Sequence, residues 1–363
     1  MNRSSFPYLS AVLGACCLLA CGNTDAPPRD YGPLLTNLSE QVILPEHQAF
    51  VTQADSLTSS VQALVDHPDA DALSDAQGAW RAARKAYRVL DALHFGIDYD
   101  LHVSERIDVA PAEPADIEAL ASSKADITDN TISNAGGHAK GFLGLEYLLF
   151  ADPAADADAA SAAPALAGDD LADRRRALAL AMAHEIAKSA LQLDNAWEPA
   201  GDAYVKQIET AGAGSTRYSS QRAAVDAMVG GVAYALEEIV GVRLAMPLGR
   251  KSSSGTPDPT LDPTLRSDSA VADMQASLAG INAMYDGDGF SAVIRAKSTK
   301  LDDAVLANLS DVEAALAAIP APFADASGQR HRAREGSVRH LLRTEEDLEH
   351  RRFERPRRDA EAQ

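Results

Sequence analysis

Apolar residues recur every three or four positions along most of the chain, and this helical spacing constrains the fold more than any other feature. Phe50, Leu57, Val61 and Leu64 form one such stripe. Residues at i, i+3, i+4 and i+7 share one face of an α-helix, so each stripe predicts a helix with one buried face. No convincing alternation of apolar and polar residues marks a strand. The sequence therefore predicts an all-α fold.

Five further stripes have the same spacing and fall on either side of an Ala/Asp-rich run at residues 151–170, which we interpret as an interdomain linker. We predict two tandem domains, each resembling a four-helix bundle, at residues 36–150 and 171–325. Ser74 to Gln77 resemble a capping box and predict the start of the second helix. Residues 326–363 form a basic tail of uncertain structure, to which we assign no role. The stripes are Trp80, Ala83, Tyr87 and Leu90; Leu178, Met182, Ile186, Leu193 and Trp197; Met228, Val232, Leu236, Ile239, Val242 and Met246; Val271, Met274, Leu278, Ile281 and Tyr285; and Leu301, Val305, Val312, Leu316 and Ile319.

The N-terminus has the pattern of a secretory signal. Arg3 precedes an apolar stretch at residues 6–19, which is too short to span a bilayer comfortably. The stretch ends in LLAC, which resembles the lipobox of bacterial lipoproteins. By that resemblance, residues 1–20 are a signal peptide, Cys21 is lipidated, and residues 21–35 are a tether. Gly22 favours the outer membrane, so we predict a periplasm-facing lipoprotein of the cell envelope; the alternative is an ordinary secretory signal.

The charge and the cysteines limit the chemistry. The formal net charge of the 363 residues is −20, which opposes a phosphate backbone and argues against nucleic-acid binding. The three cysteines are Cys16, Cys17 and Cys21, and all lie in the predicted signal or lipid anchor. The mature chain is therefore expected to lack a disulfide, a thiolate ligand and a cysteine nucleophile. Any bound metal would take nitrogen and oxygen ligands, which suits iron or another divalent ion.

Four short sequences resemble one known family: VILP at residues 42–45, WRAAR at 80–84, KGFLGLEYLLF at 140–150 and LAMPLG at 244–249. Together they are similar to the imelysin family, and most similar to its branch of predicted periplasmic lipoproteins. The resemblance implies two packed helical bundles that arose by duplication. It also implies an association with iron-regulated uptake systems of the bacterial envelope. The family is classified as a metallopeptidase family because of a proposed metal-binding motif, Gly-x-His-x-x-Glu.

That motif is broken here. Gly141 and Glu146 match it, but Leu143 occupies the histidine position. Residues at i and i+3 of a helix share a face, so a histidine and a glutamate there can bind one ion, whereas leucine has no lone pair to offer. A hydrolytic zinc normally needs three protein ligands. The substitution therefore weakens the case for peptidase activity, and we assign no catalytic residue.

Glu146 nevertheless lies among large apolar side chains, where an unpaired carboxylate is costly. Two alternatives remain open for it: it binds a metal or another cation, or it is a structural carboxylate that accepts hydrogen bonds from Arg, Tyr or backbone groups. Weaker metal-ligand candidates are His138, eight residues earlier, and Glu238, in an apolar helix. His94 and His102 complete the set, because the irregular segment beside them could fold over the bundle end near Glu146.

Three hypotheses for the function follow. The chain is a lipid-anchored component of iron uptake that binds metal or acts as an accessory to other envelope uptake components. Alternatively, it is a metal-dependent peptidase of the imelysin type, or a structural lipoprotein without a ligand. The resemblance favours the first hypothesis.

Overall fold

The predicted all-α class is confirmed. The computed structural model describes residues 29–152, 163–251 and 255–324, and no strand occurs among them. The predicted signal peptide, Cys21, residues 153–162 of the predicted linker and the tail at residues 326–363 lie outside the described residues. No helix in the described part is long and apolar enough to cross a membrane.

The described residues form α-helices joined by short π-helical and 3₁₀ segments. The π-helical segments are Ser39–Ile43 and Glu238–Leu244, and the 3₁₀ turns are Leu90–Leu93, Gly137–Ala139, Pro164–Leu166 and Pro259–Leu261. The α-helices are α1 (Gly32–Leu38), α2 (Leu44–Asp66), α3 (Ala70–Val89), α4 (Ile97–Asp100), α5 (Ser104–Ile107), α6 (Pro114–Ser122), α7 (Asp129–Ser133), α8 (Gly141–Leu149), α9 (Ala172–Trp197), α10 (Val205–Glu209), α11 (Gln221–Glu237), α12 (Ala270–Tyr285), α13 (Phe290–Arg295) and α14 (Thr299–Ala317).

Two predicted boundaries differ from the structure. The capping box predicted at Ser74 is wrong, because α3 begins at Ala70 and Asp69 caps it by accepting a hydrogen bond from the Ala72 amide at 2.8 Å. The predicted tether also extends too far. Residues 32–35 lie in α1, where Leu34 and Leu35 are buried against the fold, since an apolar pair gains more by packing than by staying in water.

Helix α3 lies at the centre of the packing. It packs against α2 and α8 on the N-terminal side of the chain and against α12 on the C-terminal side. The long helix α9 packs along α2 and α8, and α12 packs against α11 and α14. The buried apolar residues form one continuous cluster from Tyr31 to Phe323. The tandem-domain arrangement, with a boundary at residues 151–170, stays a prediction.

A close backbone approach joins α3 to α12. A Cβ at Gly280 would lie 2.1 Å from the Val89 carbonyl oxygen, so only glycine fits there. The approach brings the end of α3 and the turn at residues 90–93 against α12. This contact places charged groups from both parts of the chain within hydrogen-bond distance of each other.

Candidate functional site

Glu146 is buried at the contact between α8 and the segment before α12. Helix α8 begins at Gly141, whose φ of +68° is favourable for glycine, and a Cβ there would lie 2.4 Å from the Ile107 carbonyl oxygen. The Glu146 side chain is on the inner face of this helix, and the residue is 3% exposed. Its Oε1 accepts a hydrogen bond from the backbone N–H of Ser267 at 2.8 Å. The partner of this carboxylate is therefore a backbone donor 121 residues away along the chain.

The peptide groups around Ser267 are held from two sides. Glu146 binds the amide, and Arg81 Nη2 donates to the Ser267 carbonyl oxygen at 3.3 Å. The Arg81 guanidinium also lies over the ring of Phe150, 4.6 Å from its centroid. Glu146 and Arg81 thus fix the segment before α12 onto α8 and α3. Of the two alternatives predicted for Glu146, this contact matches the structural one, in which the carboxylate accepts a hydrogen bond from a backbone N–H.

Burial controls the ionisation of Glu146. Burial raises the pKa of its carboxyl to about 7, against the opposing effects of the Ser267 hydrogen bonds and the positive charge of Arg84. The carboxylate of Asp262 raises the pKa further. A group with this pKa exchanges its proton near neutral pH, so the charge at this contact depends on pH.

The residues present do not fit a metal at this motif. Leu143 is buried in the core and supplies no donor atom, while Glu146 Oε1 is occupied by the Ser267 amide. Among residues 29–152, 163–251 and 255–324, no group of three or more His, Cys, Asp or Glu side chains could hold a metal ion. We therefore derive no chemistry through a metal at Glu146.

The other predicted ligands have different surroundings, and in the described part of the chain none of them hydrogen-bonds to Glu146. The exposed His138 binds the Pro111 carbonyl oxygen through Nδ1 at 2.7 Å. His102 Nδ1 lies 3.0 Å from a Glu105 carboxylate oxygen on the surface. His94 packs on Tyr234, with ring centroids 4.4 Å apart, and Glu238 Oε2 lies 3.3 Å from Arg243 Nη2. Their roles as ligands remain predictions that no contact supports.

A buried network of arginines and aspartates is the main charged feature that the sequence did not reveal. Arg84 of α3 binds Asp273 of α12, with Nε and Nη2 each 2.8 Å from Oδ2. Its Nη1 lies 2.8 Å from Asp108 Oδ1, and Arg88 Nη2 lies 2.5 Å from Asp108 Oδ2. Burial alone would raise the pKa of Asp108, but Arg88 and Arg84 outweigh it and hold that pKa below its usual value.

The network continues towards the C-terminal helices. Arg88 Nη1 lies 3.6 Å from Asp91 Oδ1, and Arg243 Nη1 lies 3.0 Å from Asp91 Oδ2. The Ser277 hydroxyl donates to Asp91 Oδ2 at 2.5 Å and accepts from Arg243 Nη1 at 3.1 Å. The charged groups therefore link α3, the loop at Asp108, α12 and the π-helical segment Glu238–Leu244, which contains Arg243. This arrangement specifies how these elements pack.

One sequence signal could have revealed the network. Arg84 and Arg88 stand four residues apart, on the same side of the helix as the apolar stripe containing Trp80 and Tyr87. Arginines on the buried face of a helix need carboxylate partners. The sequence does not show which of its 53 acidic residues supply them.

A second buried ion pair lies at the start of α2. His47 Nε2 is 3.0 Å from Asp98 Oδ2, and its Nδ1 is 2.7 Å from the Ile43 carbonyl oxygen. Asp98 Oδ1 also accepts from Trp197 Nε1 at 2.5 Å. Because a carbonyl and a carboxylate only accept hydrogen bonds, both ring nitrogens of His47 must donate, and the side chain is an imidazolium.

We expect His47 to stay protonated above its ordinary pKa of 6.5. Burial alone would lower this pKa, but Asp98, the Ile43 carbonyl oxygen and Asp194 together raise it. The stability that the pair contributes is then fully present below pH 6.5 and is lost as the pH rises through the folded-state pKa. Titration of the histidine Cε1–H resonances by NMR measures the pKa, and the variant His47→Gln assigns the signal. A His47 midpoint below 6.5 would contradict the imidazolium assignment.

Comparisons with known proteins agree with the resemblance seen in the sequence. The family model described as imelysin, peptidase M75, matches residues 43–342. A putative iron-regulated protein A precursor from Parabacteroides distasonis ATCC 8503 is similar in structure, with a TM-score of 0.71 and 17% identity over 89% of this chain and 94% of that one. An imelysin-like protein from Psychrobacter arcticum 273-4 has a TM-score of 0.65 and 16% identity over 89% and 95% of the two chains. No curated protein sequence matches significantly.

Proposed function

The chain belongs to the imelysin family, and from that premise we propose that it is a lipid-anchored envelope protein that serves iron handling as a non-catalytic accessory component. The anchor would be Cys21, with the helical domain facing the periplasm from the outer membrane. The name of one structural neighbour, an iron-regulated protein A precursor, supports the connection with iron.

The surroundings of Glu146 are the main support for a non-catalytic role. A hydrolytic metal needs about three protein ligands and an open position for water. At this motif the histidine position is a buried leucine, and the glutamate is hydrogen-bonded to the Ser267 amide. In this proposal Glu146 is a packing residue that joins α8 to the segment before α12. The protein would work through binding or assembly, with other envelope iron-uptake components as its partners.

Complementation of a gene deletion in the native bacterium tests the proposal. The deletion is expected to slow growth in chelator-treated medium and to leave growth in iron-replete medium unchanged. Wild-type protein and Glu146→Gln should both restore growth, because glutamine keeps an oxygen that accepts the Ser267 hydrogen bond. Cys21→Ser should fail to restore growth even when immunoblots show equal amounts of protein, because the protein would lack its lipid.

Two results would overturn the proposal. Equal growth of the deletion strain and the parent under iron restriction would remove the connection with iron. Stoichiometric metal in the purified protein, lost in Glu146→Gln together with a chelator-sensitive protease activity, would restore the metallopeptidase hypothesis. Elemental analysis of the two purified variants distinguishes these outcomes.

A further inference from the structure

A small cavity borders the buried charge network near the surface. It has a volume of about 30 Å³ and lies between the end of α3, helices α4 and α5, the C-terminal part of α9 and helix α11. The residues that carry its chemistry are Tyr87, Arg88, Asp91, His94, Asp108 and Tyr234. A space of this size holds one or two water-sized groups.

Two hydrogen-bond donors on the cavity wall have no partner. Arg88 Nε is buried and makes no hydrogen bond to any described residue, although the two terminal nitrogens of the same guanidinium meet Asp91 and Asp108. Tyr87 also lines the cavity, and its hydroxyl makes no hydrogen bond within residues 29–152, 163–251 and 255–324. Buried donors are rarely left without a hydrogen bond, because the loss of their hydration is costly. The buried Arg88 Nε therefore requires an acceptor oxygen atom, and the Tyr87 hydroxyl is a second donor on the same cavity wall.

The charges on the wall favour a neutral occupant. Asp91, Asp98 and Asp108 line the cavity together with Arg88, and each of these groups already has an oppositely charged partner. An entering anion would meet three carboxylates, and an entering cation would meet the guanidinium. A hydroxyl can accept from Arg88 or Tyr87 and donate to a carboxylate, so it satisfies both kinds of group without adding charge.

The mouth of the cavity is aromatic and open to solvent. Tyr234 is 36% exposed, and its ring packs against half-buried His94. Tyr99 is 62% exposed and meets His94 edge-on, with ring centroids 5.7 Å apart. Exposed aromatic faces beside a few convergent polar groups are typical of sites for small organic ligands. A ligand with one hydroxyl in the cavity would rest its carbon skeleton on these rings.

We propose that the cavity and its aromatic mouth form a binding site for a neutral polyhydroxylated small molecule, such as a sugar or polyol. One hydroxyl of the ligand enters the cavity and bonds to Arg88 Nε and the Tyr87 hydroxyl. The rest of the ligand packs on Tyr99, His94 and Tyr234. The assignment stands on this geometry and does not depend on a role in iron handling.

Saturation-transfer difference NMR on the purified full-length protein tests the proposal, with D-glucose and N-acetyl-D-glucosamine as probes. We expect saturable binding with a Kd on the order of 1 mM for ligands of this size. Tyr87→Phe keeps the ring and removes one donor, so it should weaken binding about tenfold. Tyr234→Ala should weaken binding to a similar extent by removing part of the mouth. Tyr147→Phe is the matched control, because its hydroxyl donates to Glu118 at 2.9 Å and does not line the cavity.

Experiments with charged probes and with soaked crystals can contradict the proposed ligand site. Acetate or tetramethylammonium binding more tightly than both sugars would overturn the neutral assignment. No saturable binding of either sugar, with a lone water on Arg88 Nε in soaked crystals, would mean a fixed water only and would overturn the ligand site. Equal binding by wild type, Tyr87→Phe and Tyr234→Ala, with each variant folded by circular dichroism, would place the ligand elsewhere.

Discussion

Replacement of Arg84 by methionine is expected to lower the free energy of unfolding by about 3–5 kcal/mol. The change leaves Asp273 buried without its only ion-pair partner among the described residues, and it removes one of the two arginines bound to Asp108. A buried carboxylate that loses its partner has neither hydration nor attraction to offset its charge. Urea unfolding, followed by circular dichroism, measures the difference between the variant and the wild type.

Two further variants distinguish charge from packing. Arg84→Met combined with Asp273→Leu removes both charges of the pair, and it should recover most of the lost stability because well-packed apolar groups often replace a buried pair without loss. Arg222→Met is the matched control, since Arg222 forms an exposed i,i+4 pair with Asp226 at 3.5 Å and its loss should cost roughly 0.5 kcal/mol or less. A loss below about 1 kcal/mol for Arg84→Met would show that the network contributes little to stability.

Deprotonation of Glu146 is expected to lower the free energy of unfolding of the wild-type protein by about 3 kcal/mol as the pH rises from 4.5 to 7. Burial raises the folded-state pKa to about 7, whereas the unfolded chain has the ordinary value of 4.5. In this window the folded state holds a proton that the unfolded state has released, so stability falls as the pH rises. Unfolding free energies measured at pH 5, 6, 7 and 8 give the slope.

The comparison of two variants isolates this contribution from the other titrating groups. Glu146→Gln cannot titrate and can still accept the Ser267 hydrogen bond, so it should match the wild type at pH 5 and be more stable at pH 8. Glu146→Ala also lacks the slope but leaves the Ser267 amide without its acceptor, at a cost of about 1–3 kcal/mol at every pH. Parallel pH curves for the wild type and Glu146→Gln would contradict a raised pKa.

Much of the fold could be predicted because the information is local. The stripes led by Trp80, Leu178 and Val271 correspond to α3, α9 and α12. Helix ends were harder to place, since the competition between Asp69 and Ser74 as caps depends on small energies. The site was only partly predictable. The sequence showed that Glu146 needs a partner, and it left cation and hydrogen-bond donor as alternatives.

The sequence by itself determined that the chain is helical, that it carries the family's motif, and that Leu143 removes a metal ligand from that motif, because these properties belong to side chains read in order. Only the tertiary structure decided that Glu146 accepts a hydrogen bond from Ser267 and that Arg84 pairs with Asp273. The physical reason is that every residue except proline has the same backbone N–H, and every aspartate the same carboxylate. Which of them meets a given side chain depends on how the helices pack, and that packing joins residues more than a hundred positions apart.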